Sequence, residues 1–372
     1  MAIGFPNIAP FITQALTSTS LLDYTGISSS KAAFSQVSWS PTELFDNKLE
    51  LTGGARYTKD EKGLNQNDSN GVRDLHHEFR NTSLSGSLKY QWTDELMTYF
   101  RFSEGYKAGG FSARAIVNGT GPNDAYLPEK AKSYELGVKA EFLDRHVRLN
   151  ADIYRTDYND LQVPRTISIP GDPSAADVTN AGKAVFQGGE LELTVLPYAG
   201  WQLNASLGYV DPEYKQFLTS VGPKNQLFDV SGLIPFGNTS QVTASCSAQY
   251  SFEPTPAGDL TLRADWTYTG PRSFVLGDFA LNAAGQPVRY TVPGLSYITD
   301  VTHAPGYSDL GAQVILDNVP LGLGGEWMIK VYGKDLLNRY QQLSSIDFTG
   351  LGFITNSWGR GRVVGVDLAA KF

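Results

Sequence analysis

The feature that most constrains this chain is an apolar–polar alternation of period two, repeated in segments long enough to cross a thin membrane at a tilt. From Asp259 to Tyr268, the residues Leu260, Leu262, Ala264, Trp266 and Tyr268 share one face, and Thr261, Arg263, Asp265 and Thr267 share the other. Gln241–Phe252 repeats the pattern, with Val242, Ala244, Cys246, Ala248, Tyr250 and Phe252 set against Thr243, Ser245, Ser247, Gln249 and Ser251. Ser133–Phe142 and Trp201–Tyr209 do the same. Side chains of a strand point alternately to opposite faces, so each segment makes a strand with one greasy and one wet side.

A soluble sandwich also alternates, with its apolar side turned to a core. Three features point to lipid instead. Aromatic residues recur near the ends of the apolar faces, as in Trp201/Tyr209, Tyr250/Phe252 and Trp266/Tyr268. Rings with an apolar body and a polar tip suit a membrane–water boundary. Short connections at 93–95, 143–146 and 196–200 alternate with long polar ones at 59–80, 107–130, 164–183, 211–239, 270–306 and 338–361. Periplasmic turns and extracellular loops sort in this way. The chain also ends inside a strand, where Val364, Val366, Leu368 and Phe372 form the C-terminal signal expected by the barrel-assembly machinery.

The expected fold is all-β: a transmembrane antiparallel β-barrel, incomplete, of about thirteen strands. They fall near 32–40, 48–59, 82–92, 96–106, 132–142, 147–158, 185–195, 201–210, 241–252, 259–269, 308–318, 327–337 and 362–372. Residues 1–31 read as an N-terminal remnant and 32–372 as one barrel domain.

Composition removes several classes. The net charge of −8 and the lack of a Lys/Arg stripe exclude a nucleic-acid footprint. The single cysteine, Cys246, excludes an internal disulfide framework and a cysteine metal cage. No stretch approaches the ~20 apolar residues of a spanning helix. Met1–Leu22 is interrupted by Pro6 and Pro10 and has no cation ahead of its apolar part, so it is not expected to serve as an export signal, and such a signal is expected to be missing from this chain.

The runs Glu104-Gly-Tyr-Lys-Ala-Gly-Gly-Phe111, Tyr126-Leu-Pro-Glu-Lys130 and Ser133-Tyr-Glu-Leu-Gly-Val-Lys139 occur in that order. Val147–Tyr154, Asp157–Gln162, Asn180–Lys183, Gly188–Glu192, Lys334–Tyr340 and Gly365–Phe372 follow at family-like spacing. Together they resemble the TonB-dependent outer-membrane receptors, over roughly residues 32–372. The resemblance implies a Gram-negative outer-membrane location and a twenty-two-stranded barrel filled by a plug, of which these strands match the last thirteen. It implies contact with outer-membrane lipid, and a scarce ligand such as a ferric siderophore as the extracellular partner. Coupling to TonB would run only through the plug and TonB box, which this sequence lacks.

Candidate ligand residues are Tyr106 and Lys107, which open a long loop, and Arg114 within it. Cations and flat aromatic rings suit an anionic ferric chelate. The bland reading, which is favoured, makes Tyr106 an interface aromatic and Gly109-Gly110 a bend. Arg56, Lys89, Arg101, Glu135, Lys139, Glu190, Glu192, Arg263, Asp265 and Lys330 are expected to face the lumen, either meeting the plug, as the resemblance implies, or simply solvated. Asp74, His76, His77 and Glu78 form the one metal-like group, but neighbouring histidines on an exposed loop seldom converge on one ion. No metal, cofactor or enzymatic constellation is expected. Cys246 is expected to face lipid as a small apolar residue.

The leading expectation is a fragment of a receptor for TonB-dependent uptake. The alternatives are a smaller barrel acting as a passive channel, a non-functional gene remnant, and a soluble all-β binding protein. An open wall would leave backbone N–H and C=O groups unpaired in lipid, at several kcal/mol each. A thirteen-stranded fragment is therefore expected not to insert stably unless it closes unusually or pairs with another chain.

Overall fold

Alternating sequence becomes sheet where neighbouring strands present the same residue types to the same side. The computed structural model describes residues 23–41, 45–68, 71–113, 125–166, 176–180, 182–221, 226–274, 278–290, 302–320, 324–348 and 353–371. Its main elements are β1 (Tyr24–Trp39), β2 (Leu49–Asp68), β3 (Gly71–Thr93), β4 (Leu96–Lys107), β5 (Glu129–Phe142), β6 (Val147–Asn159) and β7 (Gly182–Val195). They continue with β8 (Trp201–Val221), β9 (Val242–Ser251), β10 (Asp259–Thr269), β11 (Tyr307–Pro320), β12 (Glu326–Lys334) and β13 (Val363–Lys371). Each pairs with its sequence neighbours in one unbroken antiparallel wall from β1 to β13, and Gln226–Asp229 adds to the upper part of β8. The wall is open: among the described residues, β1 and β13 are not paired with each other.

Register joins the apolar sides into one surface. Trp39, Leu51, Leu88, Phe100, Leu136 and Ile153 lie side by side across β1 to β6. Leu191, Leu207, Ala244 and Tyr268 carry that face across β7 to β10, and Leu262, Val314, Val331 and Val366 across β10 to β13. These side chains stay open: Leu136 is 53% exposed, Ile153 62% and Val366 60%. A contiguous apolar surface of this extent does not persist in water. Hydrocarbon accommodates it.

The apolar band has a clear upper limit. Outward positions turn charged at Lys31, Lys59 and Arg80, which share one rung across β1 to β3. The switch recurs at Glu104 and Lys132, and at Arg155 and Asp211 on either side of Gln187. Four or five outward residues below each switch give a band of roughly 25 Å, the height of an outer-membrane apolar belt.

Several boundaries differ from the sequence expectation. β1 starts at Tyr24 rather than near residue 32. The span 59–80 is no loop: β2 and β3 pair without interruption up to Asp68 and Gly71, making a long hairpin that stands above the band. Above the band one face of the hairpin meets water and the other, with Leu64 and Phe79 buried among Asp60, Gln66 and Arg73, packs against neighbouring segments, so the hairpin carries no regular apolar alternation to read. β8 likewise runs on to Val221. Smaller hairpins occupy the other long connections, at Gln162–Thr166 with Ala176–Asn180, and at Gln342–Phe348 with Phe353–Trp358.

The opposite connections are tight. Leu143, Asp144 and Arg145 take φ of 52°, 54° and 67°, a left-handed turn that lets the His146 N–H donate to the Leu143 carbonyl at 3.0 Å. The buried core is small and lies above the band, where Ala184, Tyr214, Phe217, Val230 and Ile234 pack together.

Candidate functional site

Strand register assigns the second face. Residues directly opposite in an antiparallel pair share a side, and this places Arg56, Lys89, Arg101, Glu135, Lys139, Glu190, Glu192, Arg263, Asp265 and Lys330 on the one polar face of the wall. Most are engaged locally. Lys89 reaches Glu50 at 3.3 Å and Lys330 reaches Asp367 at 2.6 Å. The Arg263 Nε donates to both oxygens of Asp265, at 2.9 and 3.0 Å. Arg56 lies over the Phe34 ring, 5.9 Å from its centroid.

The densest part of this face spans β4 to β7. Tyr99 donates to Glu135 at 2.6 Å and Asn150 donates to Glu192 at 3.1 Å. Tyr99, Lys139, Asn150, Asp152, Glu190 and Glu192 line a cavity of about 150 Å³. Tyr99 lies across Gly137 on the next strand, where a Cβ would come within 2.4 Å of the ring. Tyr332 covers Gly365 in the same manner. A tyrosine laid flat over a cross-strand glycine fills the missing side chain and keeps the inner surface smooth.

The mouth above the band is built from packed segments. Tyr106 and Lys107 separate: Lys107 is exposed, whereas the Tyr106 hydroxyl is buried. Burial, with the Asp60 carboxylate beside it, pushes that hydroxyl up to about 12. After Lys107 the chain turns in against the hairpin, and Gly110 bridges to Tyr126. At Gly109 a Cβ would stand 2.0 Å from the Tyr126 carbonyl and 2.6 Å from the Phe79 ring, so glycine alone fits. Arg114 lies outside the described residues. Tyr106 and Lys107 therefore point into different surroundings and do not form one patch.

The metal-like group sits on a strand, not a loop. His76 pairs with Asp74 at 2.8 Å, His77 packs on Phe79 at 4.4 Å, and Glu78 binds Lys59 at 2.7 Å and also Arg80. Lys59 and Arg80 hold the Glu78 carboxyl below its usual range. Among the described residues no group of three or more His, Cys, Asp or Glu is arranged to hold a metal ion. At the C-terminal strand Val364, Val366 and Leu368 share the apolar face and are 69%, 60% and 66% exposed; Phe372 lies outside the described residues.

Sequence reasoning missed Tyr99, Asp152 and Gln162. The first two alternate in phase with Arg101 and Asn150, so their polar-face position was readable. Gln162 follows a loop and has no periodic signal. It is 8% exposed, and its amide donates to the carbonyls of Ala108 and Leu127 at 3.0 Å each.

A family model described as "TonB dependent receptor-like, beta-barrel" matches residues 4–333. The chain is 29% identical over 187 residues to the pesticin receptor of Yersinia enterocolitica, covering 47% of this chain and 25% of that protein. It is 25% identical over 243 residues to the ferrichrome outer membrane transporter/phage receptor of Escherichia coli K12, covering 63% and 29%. In fold it is similar to the ferric yersiniabactin uptake receptor of Yersinia pestis, with a TM-score of 0.66 at 21% identity over 94% of this chain and 47% of that one. The siderophore receptor PiuA of Acinetobacter baumannii gives a TM-score of 0.65 at 19% identity, over 94% and 44%. The chain spans about a quarter of the length of the curated relatives named and under half of the solved receptors.

Proposed function

Because this chain belongs to the TonB-dependent receptor-like β-barrel family, we propose that it supplies wall and capture loops to an outer-membrane receptor that takes up a scarce ligand, a ferric siderophore, at the expense of TonB-transmitted energy. The family consists of outer-membrane receptors and transporters, not enzymes. The observation that carries the reading is the single sheet with one continuous apolar side and one polar side, ending at a charged rim. Relatives named for ferrichrome and ferric yersiniabactin support the ligand class.

The two open edges, β1 and β13, would be completed by further strands, since an unpaired edge in hydrocarbon costs several kcal/mol for each exposed backbone group. TonB would act through a plug seated against the polar face. A plug there would meet alternating charges, and Glu135, Asp152, Glu190 and Glu192 would favour basic plug residues.

The test is binding of ferric and iron-free siderophores to the purified chain in detergent, followed by quenching of tryptophan fluorescence. Saturable quenching by at least one ferric form, with none by its iron-free form, is the expected result. No saturable response to hydroxamate, catecholate or phenolate ferric chelates would remove the ligand assignment.

A further inference from the structure

The extracellular segments brace one another in a continuous series. The β2–β3 hairpin holds the loop after β4 through Gln66, whose Nε2 donates to the Ala113 carbonyl at 3.1 Å. Gln162 takes up the far side of that loop: its amide bridges the carbonyls of Ala108 and Leu127, and its N–H donates to Glu129 at 2.8 Å. The flanking Leu161 and Val163 pack on the aromatic core formed where residues 226–236 fold back onto β8. From there the Asn238 N–H donates to the Ser273 carbonyl at 2.7 Å. Arg272 reaches the Gln342 carbonyl at 3.1 Å, which brings in the hairpin ahead of β13.

We infer that these segments form one collar that opens and closes as a unit, and that Gln162 is the positioning residue joining its two halves. The chemistry singles out this side chain. An amide NH₂ has two donors, so it can hold two carbonyls from different segments at once. A carboxylate in its place has none to offer them, and an aliphatic chain strips the Ala108 carbonyl of this donor in a dry site and leaves that of Leu127 to Asn180 alone, whose Nδ2 donates to it at 2.8 Å. Leu161 and Val163 then convert any shift of Gln162 into a shift of the aromatic core, because packed side chains have few intermediate arrangements. Sub-global opening of this kind makes distant segments exchange their amide hydrogens together. The inference concerns the mouth alone and holds whatever the ligand proves to be.

Amide hydrogen exchange on the full chain in detergent, read by mass spectrometry, tests it. Gln162→Leu should speed exchange about tenfold in both 108–113 and 226–236, while the wall peptide 133–140 keeps its wild-type rate. Phe236→Ala perturbs the collar from the other side, and should speed exchange in 108–113 to a similar degree. Should Gln162→Leu fail to fold, the Phe236→Ala arm decides alone. Acceleration confined to the mutated segment in the variants that fold would overturn the single-collar inference.

Discussion

Tyr214 and Phe236 stack face to face, their ring centroids 4.2 Å apart and their planes 16° from parallel. Tyr214 belongs to the upper end of β8, and Phe236 returns to it from the following loop. Phe186 of β7 meets Phe236 edge-on at 4.7 Å and Tyr158 of β6 at 5.3 Å, so four segments share one aromatic core. Burial pushes the Tyr214 hydroxyl up to about 12. Phe236→Ala should loosen residues 226–236 at a cost of about 1–3 kcal/mol, less than a full core deletion because the site is partly open. Faster proteolytic cleavage there, with an unchanged wall, is the expected readout.

Glu190 and Leu191 are neighbours in sequence on opposite faces of β7, which makes them a matched pair of probes. Leu191→Arg puts a charge into the apolar band and should cost about 2–4 kcal/mol. Glu190→Arg stays on the wet side beside Asp152 and should change stability by under about 1 kcal/mol. Urea unfolding from lipid vesicles compares the two.

Gly109 has no room for a side chain, its Cβ position falling 2.0 Å from the Tyr126 carbonyl. Gly109→Ala should therefore displace the turn after β4 at about 1–3 kcal/mol. Lys107→Ala, at an exposed position two residues earlier, should stay within about 0.5 kcal/mol. Thermal unfolding of the two variants separates a packing role for this run from a surface role.

Asp229 gives the mouth a dependence on acid. Burial raises its carboxyl, but the N–H groups of Phe217 and Ser231, each 3.0 Å from Oδ1, and the Ser231 hydroxyl outweigh that and hold it below 3.8. A carboxyl lowered on folding adds stability at pH above its unfolded value, and loses it as pH falls through the folded one. Exchange in 226–236 should be flat from pH 7 to about 4 after correction for intrinsic rates, and rise below. Asp229→Ala should loosen the segment at every pH, by about 1 kcal/mol, and remove the acid step.

The wall was legible because the bilayer imposes its pattern on each strand in turn. Leu260 to Tyr268 could be assigned from spacing alone, and register then joined its apolar side to those of β9 and β11. That rule stops at the charged rim. Above Lys59 and Arg80 the inner face mixes Leu64, Leu75 and Phe79 with Asp60, Gln66 and Arg73, so no apolar–polar period survives and Lys59–Arg80 read as loop although every residue pairs as far as the tip. The collar was hidden for a different reason: Leu161, Tyr214 and Phe236 meet only through tertiary packing, and no period in the sequence links them. The polar-face residues fell in between, since parity assigned their side but not partners such as Tyr99 for Glu135.

The central claim is that the apolar side of this wall meets lipid, and the chain carries its own probe in Cys246, its single cysteine, which lies exposed on that side between Ala205 and Trp266. The measurement is thiol labelling of the full chain in lipid vesicles, read only in the inserted fraction that resists carbonate extraction, comparing a charged, water-soluble maleimide with an apolar, membrane-permeant one. The account predicts that Cys246 reacts only with the permeant reagent, and that a thiol moved one position, in Cys246→Ser with Ser245→Cys, reacts with the water-soluble one. Equal labelling of both positions by the water-soluble reagent would contradict it.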